Sequence, residues 1–163
     1  MNTRATLAGL ALGLTFLAAP ALAHPIDGAW KEVHTGTLGI TTPADFKLII
    51  WLKVEGDRLD YYSENTTRPD APYISGHRAT LDGKVAPFPN QPRFEQVSVL
   101  LTEPRELQIM KMKGEDVLSG EFWTFSQDGK TAVRRGISKN VEGKSYPYQE
   151  HFVKVTDKPK YRK

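Results

Sequence analysis

The side chains with the most versatile chemistry in this sequence are its four histidines, His24, His34, His77 and His151. No two of them have the close spacing of metal ligands, and the chain has no cysteine to complete a zinc site. The sequence also contains neither a glycine-rich phosphate loop nor a nucleophile motif of the G-x-S-x-G type. We therefore predict no metal site and no cofactor, and no catalytic residue is identified.

Two of the histidines, His77 and His151, lie in segments with the patterning of strands. Alternate residues of a barrel strand face the interior, so each could act there as a general acid or base or bind a polar ligand head. The alternative is that each histidine lies outside the barrel or completes a hydrogen bond in the core.

Three further side chains are candidate walls of an interior cavity. Tyr61 and Tyr148 offer amphipathic rings with a polar tip, and Met110 offers a flexible, polarisable side chain. Each also has a plainer interpretation, because aromatic residues are favoured in strands without any ligand and a methionine packs well against a neighbouring strand. We predict that all three, with His77 and His151, contribute to ligand binding.

Residues 117–138 have the pattern of a β-hairpin around Asp128-Gly129. This dipeptide is the preferred sequence of a two-residue type I′ turn, which needs a positive φ at both central positions. Such a turn pairs Phe125 with Ala132 and sets the register of both strands. Asp128 and Gly129 are therefore predicted to be structural residues.

The two faces of this hairpin differ in composition. One face pairs Phe122 with Arg135 and the other pairs Trp123 with Arg134. The first face is the more apolar, so we predict that it lies toward the core and that Phe122 and Arg135 line the interior. An inward Arg135 would need a carboxylate or carbonyl partner, because an unpaired buried guanidinium is very costly.

The elements that must position these residues are short strands. In residues 46–54, apolar side chains alternate with others, which is typical of a half-buried strand. About nine such segments, with turn signals every 8–12 residues or so, indicate an all-β protein. Short connections favour a meander, and closure removes exposed edges. The prediction is a single antiparallel up-and-down β-barrel of about eight to nine strands.

Gly28-x-Trp30, at the start of the first strand, resembles the G-x-W motif of lipocalins and their calycin relatives. In those proteins the tryptophan closes the barrel floor and an arginine from a late strand packs over it. The resemblance implies structural roles for Gly28 and Trp30, with Arg135 or Arg134 as the arginine and Arg135 preferred. The cysteines usual in lipocalins are absent, so the resemblance concerns the fold and not the ligand.

Other segments resemble the lipocalin-like members of a group of small exported bacterial proteins of uncharacterised function. These segments are Asp82-Gly83-Lys84, Val97-Ser98-Val99, Phe125-Ser126-Gln127-Asp128-Gly129-Lys130-Thr131 and Asn140-Val141-Glu142-Gly143. Their order and spacing extend the resemblance over most of the chain.

The first 23 residues have the pattern of a secretory signal peptide, with Arg4, an apolar run and a final Ala21-Leu22-Ala23. The run is short for the alternative, a membrane anchor. We predict a signal peptide at residues 1–23, a barrel domain at 24–156 and a basic disordered tail at 157–163. The signal peptide predicts a periplasmic or secreted protein without a membrane span after cleavage, and the lack of cysteine in an exported domain favours a bacterial periplasm over a eukaryotic secretory route. The formal net charge of +3 does not indicate nucleic acid.

These observations support three hypotheses. The first is an exported lipocalin-like barrel that binds a small, hydrophobic or amphipathic molecule. The second is an isomerase, cyclase or lyase that uses polar residues of the same cavity. It gains support if His77, His151, Arg135 and a tyrosine converge in one pocket, and loses support if they are scattered outside. The third is a filled barrel with a structural role. The sequence leaves the oligomeric state and the choice between binding and catalysis open.

Overall fold

The structure, a computed structural model, describes residues 23–33 and 45–157. The predicted signal peptide and basic tail lie outside this part of the chain except for Ala23 and Asp157, and His34 also lies outside it. The described residues form ten strands: β1 (Gly28–Glu32), β2 (Leu48–Glu55), β3 (Arg58–Asn65), β4 (Tyr73–Thr80), β5 (Asp82–Pro87), β6 (Gln96–Glu103), β7 (Glu106–Lys113), β8 (Asp116–Phe125), β9 (Thr131–Lys139) and β10 (Ser145–Thr156).

The strands form one antiparallel sheet that curls into a nearly closed barrel. Its order is β4-β3-β2-β1-β10-β9-β8-β7-β6-β5, so nearly all strands that are consecutive in the sequence are paired, and β1 closes onto β10. Within the described residues, consecutive strands lack a ladder only between β4 and β5. This meander is the all-β, antiparallel up-and-down barrel that the sequence predicts. No helix in the described part of the chain is long and apolar enough to cross a membrane.

The predicted strand number is too low because of β5. Asp82-Gly83 looks like the end of a strand in the sequence, yet residues 82–87 pair with β6. The register shifts between Asp82 and Val85, and Gly83 adopts φ +80° within this irregularity. A glycine that accommodates a bulge inside a strand has the same local signature as a glycine in a turn.

Alternation along the strands builds the core. On β2 the side chains of Leu48, Ile50 and Leu52 are buried, and on β6 those of Val97 and Val99 are buried. Residues with period two lie on one face of a strand, so a curled sheet collects them in its interior.

One end of the barrel, here called the floor, is closed by the segment that precedes β1. The Asp27 carboxylate accepts hydrogen bonds from the amide of Val54, at 2.7 Å, and from Nζ of Lys53, at 2.7 Å. The indole Nε1 of Trp30 donates to the carbonyl oxygen of Ile26 at 2.9 Å, and both of these side chains are fully buried. The segment is therefore tied to β2 and to the Trp30 ring.

Gly28 lies where this segment enters the barrel. Its φ is +129°, and a Cβ added there would lie 2.6 Å from the carbonyl oxygen of Thr156. A side chain at this position would thus force β1 away from β10 and strain the backbone.

The central hairpin has the predicted register but the opposite orientation. Phe125 pairs with Ala132 and Trp123 with Arg134, as the turn position indicates. However, Trp123 and Arg134 face the interior, whereas Phe122 is 50% exposed and Arg135 is exposed. The prediction that Phe122 and Arg135 point inward is wrong, because the charges on the other face find partners on neighbouring strands.

The turn of this hairpin also differs from the predicted type I′. The carbonyl oxygen of Ser126 accepts a hydrogen bond from the amide of Gly129 at 3.0 Å, and only Gly129 of these turn residues has a positive φ, +67°. Asp128 keeps a negative φ and accepts hydrogen bonds from the Ser126 hydroxyl, at 2.6 Å, and the Lys130 amide, at 3.0 Å. A type I turn followed by a left-handed glycine therefore connects the strands.

The cation over Trp30 is a lysine and not the expected arginine. Lys154 Nζ lies 5.1 Å from the centre of the Trp30 ring, and the edge of that ring meets Phe125 at 5.0 Å between centroids. Arg134 lies over Trp123 instead, at 5.1 Å. The prediction of Arg135 over Trp30 is wrong because Arg135 is on the outer face.

Replacing Trp30 by alanine should cost about 3–5 kcal/mol of unfolding free energy, the range for emptying a large buried aromatic site. Urea denaturation of Trp30→Ala measures this loss. The control is Trp51→Ala, which removes an indole from the outer face of β2, where the ring is half-buried against Tyr62. Equal losses in the two variants would contradict the role of Trp30 in the floor.

Candidate functional site

A cavity of about 440 Å³ occupies the end of the barrel opposite the floor. It opens to solvent at the end we call the mouth, where β3, β7 and β9 finish and β4, β8 and β10 begin. Its lining combines aromatic rings, hydroxyl groups, two amides and five charged side chains: Phe46, Leu48, Tyr61, Ser63, Asn65, Tyr73, Ser75, Arg93, Phe94, Lys111, Ser119, Glu121, Arg134, Ser138, Tyr146, Tyr148, Gln149 and Glu150.

Four charged residues on four consecutive strands form the base of the cavity, and we call them the charge quartet. Lys111 Nζ donates to Oε1 of Glu121 at 2.5 Å, and Nη1 of Arg134 donates to Oε2 of Glu121 at 3.2 Å. Arg134 is directly opposite Glu150 across β9 and β10 and donates to Oε2 of that carboxylate. All four side chains are at most 10% exposed.

Aromatic rings cover the cations of the quartet. The guanidinium carbon of Arg134 lies 5.1 Å from the Trp123 ring centre, 5.7 Å from that of Tyr148 and 5.5 Å from that of Phe152. Cation–π contact stabilises a guanidinium that has lost its water, because the ring face carries negative potential. Arg134 is therefore held by carboxylates at its edge and by rings around it.

The mutual attraction of the quartet is visible in its pKa values. Burial alone would raise the pKa of Glu121, but Lys111 and Arg134 lower it to about 2. Burial alone would lower the pKa of Arg134, but the two carboxylates raise it well above its usual range. Burial does raise the pKa of Glu150, against the opposing charge of Arg134. Glu150 is thus the carboxylate of the quartet that takes up a proton more readily.

Two pairs of buried serines line opposite walls of the cavity. Ser63 and Ser75 are register partners on β3 and β4, and Ser119 and Ser138 are register partners on β8 and β9. The strand order places these two pairs half a turn apart around the barrel. Small side chains on both walls leave the space that forms the cavity.

Gly136 determines the position of Tyr148. A Cβ at Gly136 would lie 2.6 Å from Cζ and from the hydroxyl oxygen of Tyr148, and 2.2 Å from the carbonyl oxygen of Gly120. The Tyr148 ring therefore lies directly over the backbone of its register partner. A larger residue at this position would push the ring into the cavity and separate the strands.

The loop between β5 and β6 crosses the mouth. The hydroxyl of Tyr73 donates to Oε1 of Gln91, and Nε2 of Gln91 reaches the carbonyl oxygen of Ile74 at 3.4 Å. On the opposite wall, Arg93 donates to the carbonyl oxygen of Lys139 and to the hydroxyl of Ser138, the latter at 3.3 Å. The loop thus links β4 to β9 through side chains.

His77 lies behind Tyr61, with the two rings stacked at 4.7 Å, and the edge of Phe88 meets it at 5.0 Å. Neither ring nitrogen of His77 has a hydrogen-bond partner among the described residues. Burial, with a smaller effect of the Lys111 charge, lowers the pKa of His77 to about 3. His77 is therefore neutral at any pH near 7.

The structure places only part of the predicted ligand-binding set at the cavity. Tyr61 and Tyr148 line it, and His77 is buried directly behind Tyr61. The other four predicted residues are on the outer face of their strands, so the expectation that they face inward is wrong: Met110, Phe122, Arg135 and His151. The reason in each case is strand alternation, because the neighbouring residue occupies the inward position.

Sequence reasoning missed the charge quartet and the serines. The signal for the quartet was present, since Glu121 and Arg134 share a face of the hairpin whose register the turn defines. We gave more weight to the apolar character of the other face. The partners Lys111 and Glu150 come from β7 and β10, whose register against the hairpin a sequence does not display.

No protein-family model matches the chain, and no curated protein matches its sequence. Among solved structures, one that is similar is the apo form of lipid binding protein 8 of Caenorhabditis elegans. It shares 16% identity, with a TM-score of 0.49, and the match covers 83% of this chain and 99% of that one. A likeness this distant carries no information on the ligand of this chain.

Burial of a neutral His77 should make the protein less stable as the pH falls. The His77 ring takes up a proton near pH 6.5 in the unfolded chain and only near pH 3 in the folded chain. The stability present above pH 6.5 is therefore lost as the pH falls from 6.5 toward 3. By pH 4 the loss amounts to roughly 3 kcal/mol. Urea denaturation at pH 7 and pH 4 should show a smaller difference for His77→Phe than for the wild type.

A phenyl ring can keep the contacts with Tyr61 and Phe88, so His77→Phe is expected to fold. The control is His151→Phe, which removes a histidine from the outer face of β10. If His77→Phe and the wild type lose the same stability between the two pH values, the assignment of the neutral form is wrong.

The charge quartet should respond to single and double substitutions very differently. Glu121→Gln leaves the two cations, Lys111 and Arg134, with Glu150 as the single carboxylate of the quartet. The variant should therefore lose about 3–5 kcal/mol of unfolding free energy. Adding Lys111→Met restores a balanced Arg134–Glu150 pair and should recover most of this loss. Urea denaturation of the single and double variants tests this coupling, which a double variant as unstable as Glu121→Gln would contradict.

Proposed function

We propose that this chain binds a small, partly hydrophobic molecule in the interior of its barrel. The observation that carries the proposal is the 440 Å³ cavity, which opens at the mouth and ends on a buried charge quartet. Its volume lies within the range of small-molecule sites, roughly 300–1,000 Å³. The filled barrel of the third hypothesis would leave no such space.

The composition of the lining supports an amphipathic ligand. Tyr61, Phe94 and Tyr148 offer ring faces to an apolar part, and the serine pairs and amides offer hydrogen bonds to a polar part. Binding sites commonly combine apolar walls with a few polar groups that fix the orientation of the ligand.

The enzyme hypothesis loses support from the positions of its candidate residues. Its support would come from convergence of His77, His151, Arg135 and a tyrosine, but Arg135 and His151 lie on the outer face of their strands. His77 lies near Tyr61, but its neutral ring is enclosed by aromatic side chains. We therefore propose binding without catalysis as the function of the cavity.

We also propose that the protein is exported, to the periplasm or the medium. The support for this proposal is the pattern of residues 1–23 in the sequence. A binding protein in such a compartment would carry or retain its ligand outside the cytoplasm.

Filling the cavity should abolish binding. N-phenyl-1-naphthylamine, a neutral probe that fluoresces in apolar surroundings, should bind the wild type, and Ser138→Phe should weaken its binding at least about tenfold. The control is Ile137→Phe, which adds the same ring at the next residue of β9, on its outer face, and should bind as the wild type does.

Native mass spectrometry of the protein purified from its own host should in addition show a bound small molecule. The proposal fails if the wild type binds neither the probe nor a host molecule. It fails equally if Ser138→Phe, correctly folded by circular dichroism, binds the probe as tightly as the wild type.

A further inference from the structure

The charges at the base of the cavity cancel one another. Lys111 and Arg134 carry two positive charges, and Glu121 and Glu150 carry two negative charges. Arg93, the remaining charged residue of the lining, is exposed at the mouth, where water screens its charge. A ligand that reaches the base therefore meets a region with no net charge.

The buried cations already contact carboxylates and aromatic rings. Arg134 uses N–H groups toward both carboxylates and is surrounded by three aromatic rings. Lys111 donates to Glu121 and lies over the rings of Tyr61, at 5.3 Å, and Phe94, at 5.8 Å. An additional anion would have to share these cations with the carboxylates that already contact them.

The walls, in contrast, offer neutral hydrogen-bonding groups. The hydroxyl groups of Ser63 and Ser75 lie on one wall, and those of Ser119 and Ser138 lie on the other. A hydroxyl both donates and accepts, so it suits alcohol and carbonyl groups of a ligand without any change in charge.

We infer that the ligand is a neutral molecule that carries hydroxyl or carbonyl groups on an apolar skeleton, and not a carboxylate or another anion. This inference rests on the proposed binding function and specifies its ligand class. Its physical basis is that an unpaired charge is costly to bury, whereas a neutral polar group needs only a hydrogen bond.

Two molecules with the same skeleton test this inference. At pH 7.5, 2-naphthalenemethanol and 2-naphthoate each compete with N-phenyl-1-naphthylamine for the wild-type protein. The alcohol should bind at least about tenfold more tightly than the carboxylate. Equal or tighter binding of 2-naphthoate overturns the inference but leaves the proposed function standing. If neither compound nor the probe binds, both fail.

A change in the net charge of the quartet should change this preference. Glu150→Gln leaves the cavity with one excess positive charge, so it should increase the relative affinity for 2-naphthoate about tenfold. The control is Glu103→Gln, which removes an exposed carboxylate at the floor end of the barrel and should keep the wild-type ratio.

A folded Glu150→Gln variant with the wild-type ratio of affinities overturns the inference, since charge balance would then not decide the ligand. If this variant does not fold, Lys111→Met provides the opposite change. It leaves one excess negative charge and should lower the affinity for 2-naphthoate further, and a rise would overturn the inference.

Discussion

The interior of this barrel depends on the mutual neutralisation of four buried charges. Each of them would be very costly to bury alone, and together they stabilise one another because every cation contacts a carboxylate. The quartet also specifies register, because Arg134 and Glu150 meet only when β9 and β10 pair as they do. A shift of β9 by one residue would move Arg134 to the outer face and bring Arg135 inward, so that Glu150 would lose this partner.

Side-chain size divides the barrel into a packed half and a hollow half. Toward the floor, Trp30, Trp123 and Phe125 fill the interior with large rings. Toward the mouth, inward positions carry serines and a glycine, Gly136, so the same backbone geometry encloses free volume. The cavity thus follows from residue volume along the strands, with the quartet at the boundary between the two halves.

Local patterns predicted the fold better than the site. Alternation identified most strands, and the turn before Lys130 predicted the hairpin register. Both signals could be read from the sequence because each comes from residues that are only a few positions apart. The strand Asp82–Pro87 was missed since its glycine has the local signature of a turn. Phe122 was placed inside because the hairpin alone favours burying its more apolar face. The other members of the quartet, Lys111 and Glu150, come from β7 and β10, whose register against the hairpin its turn does not define.

The barrel wall separates most easily at the unpaired boundary between β4 and β5. Separating any two paired strands of the described sheet breaks a ladder of backbone hydrogen bonds, whereas separating β4 from β5 breaks none. What holds this boundary near the mouth is the Gln91 side chain and the packing of Phe88 against His77. The barrel is therefore a strip of ten strands whose two ends meet. The chain itself joins them at the floor end through Leu81, and side chains hold them together near the mouth.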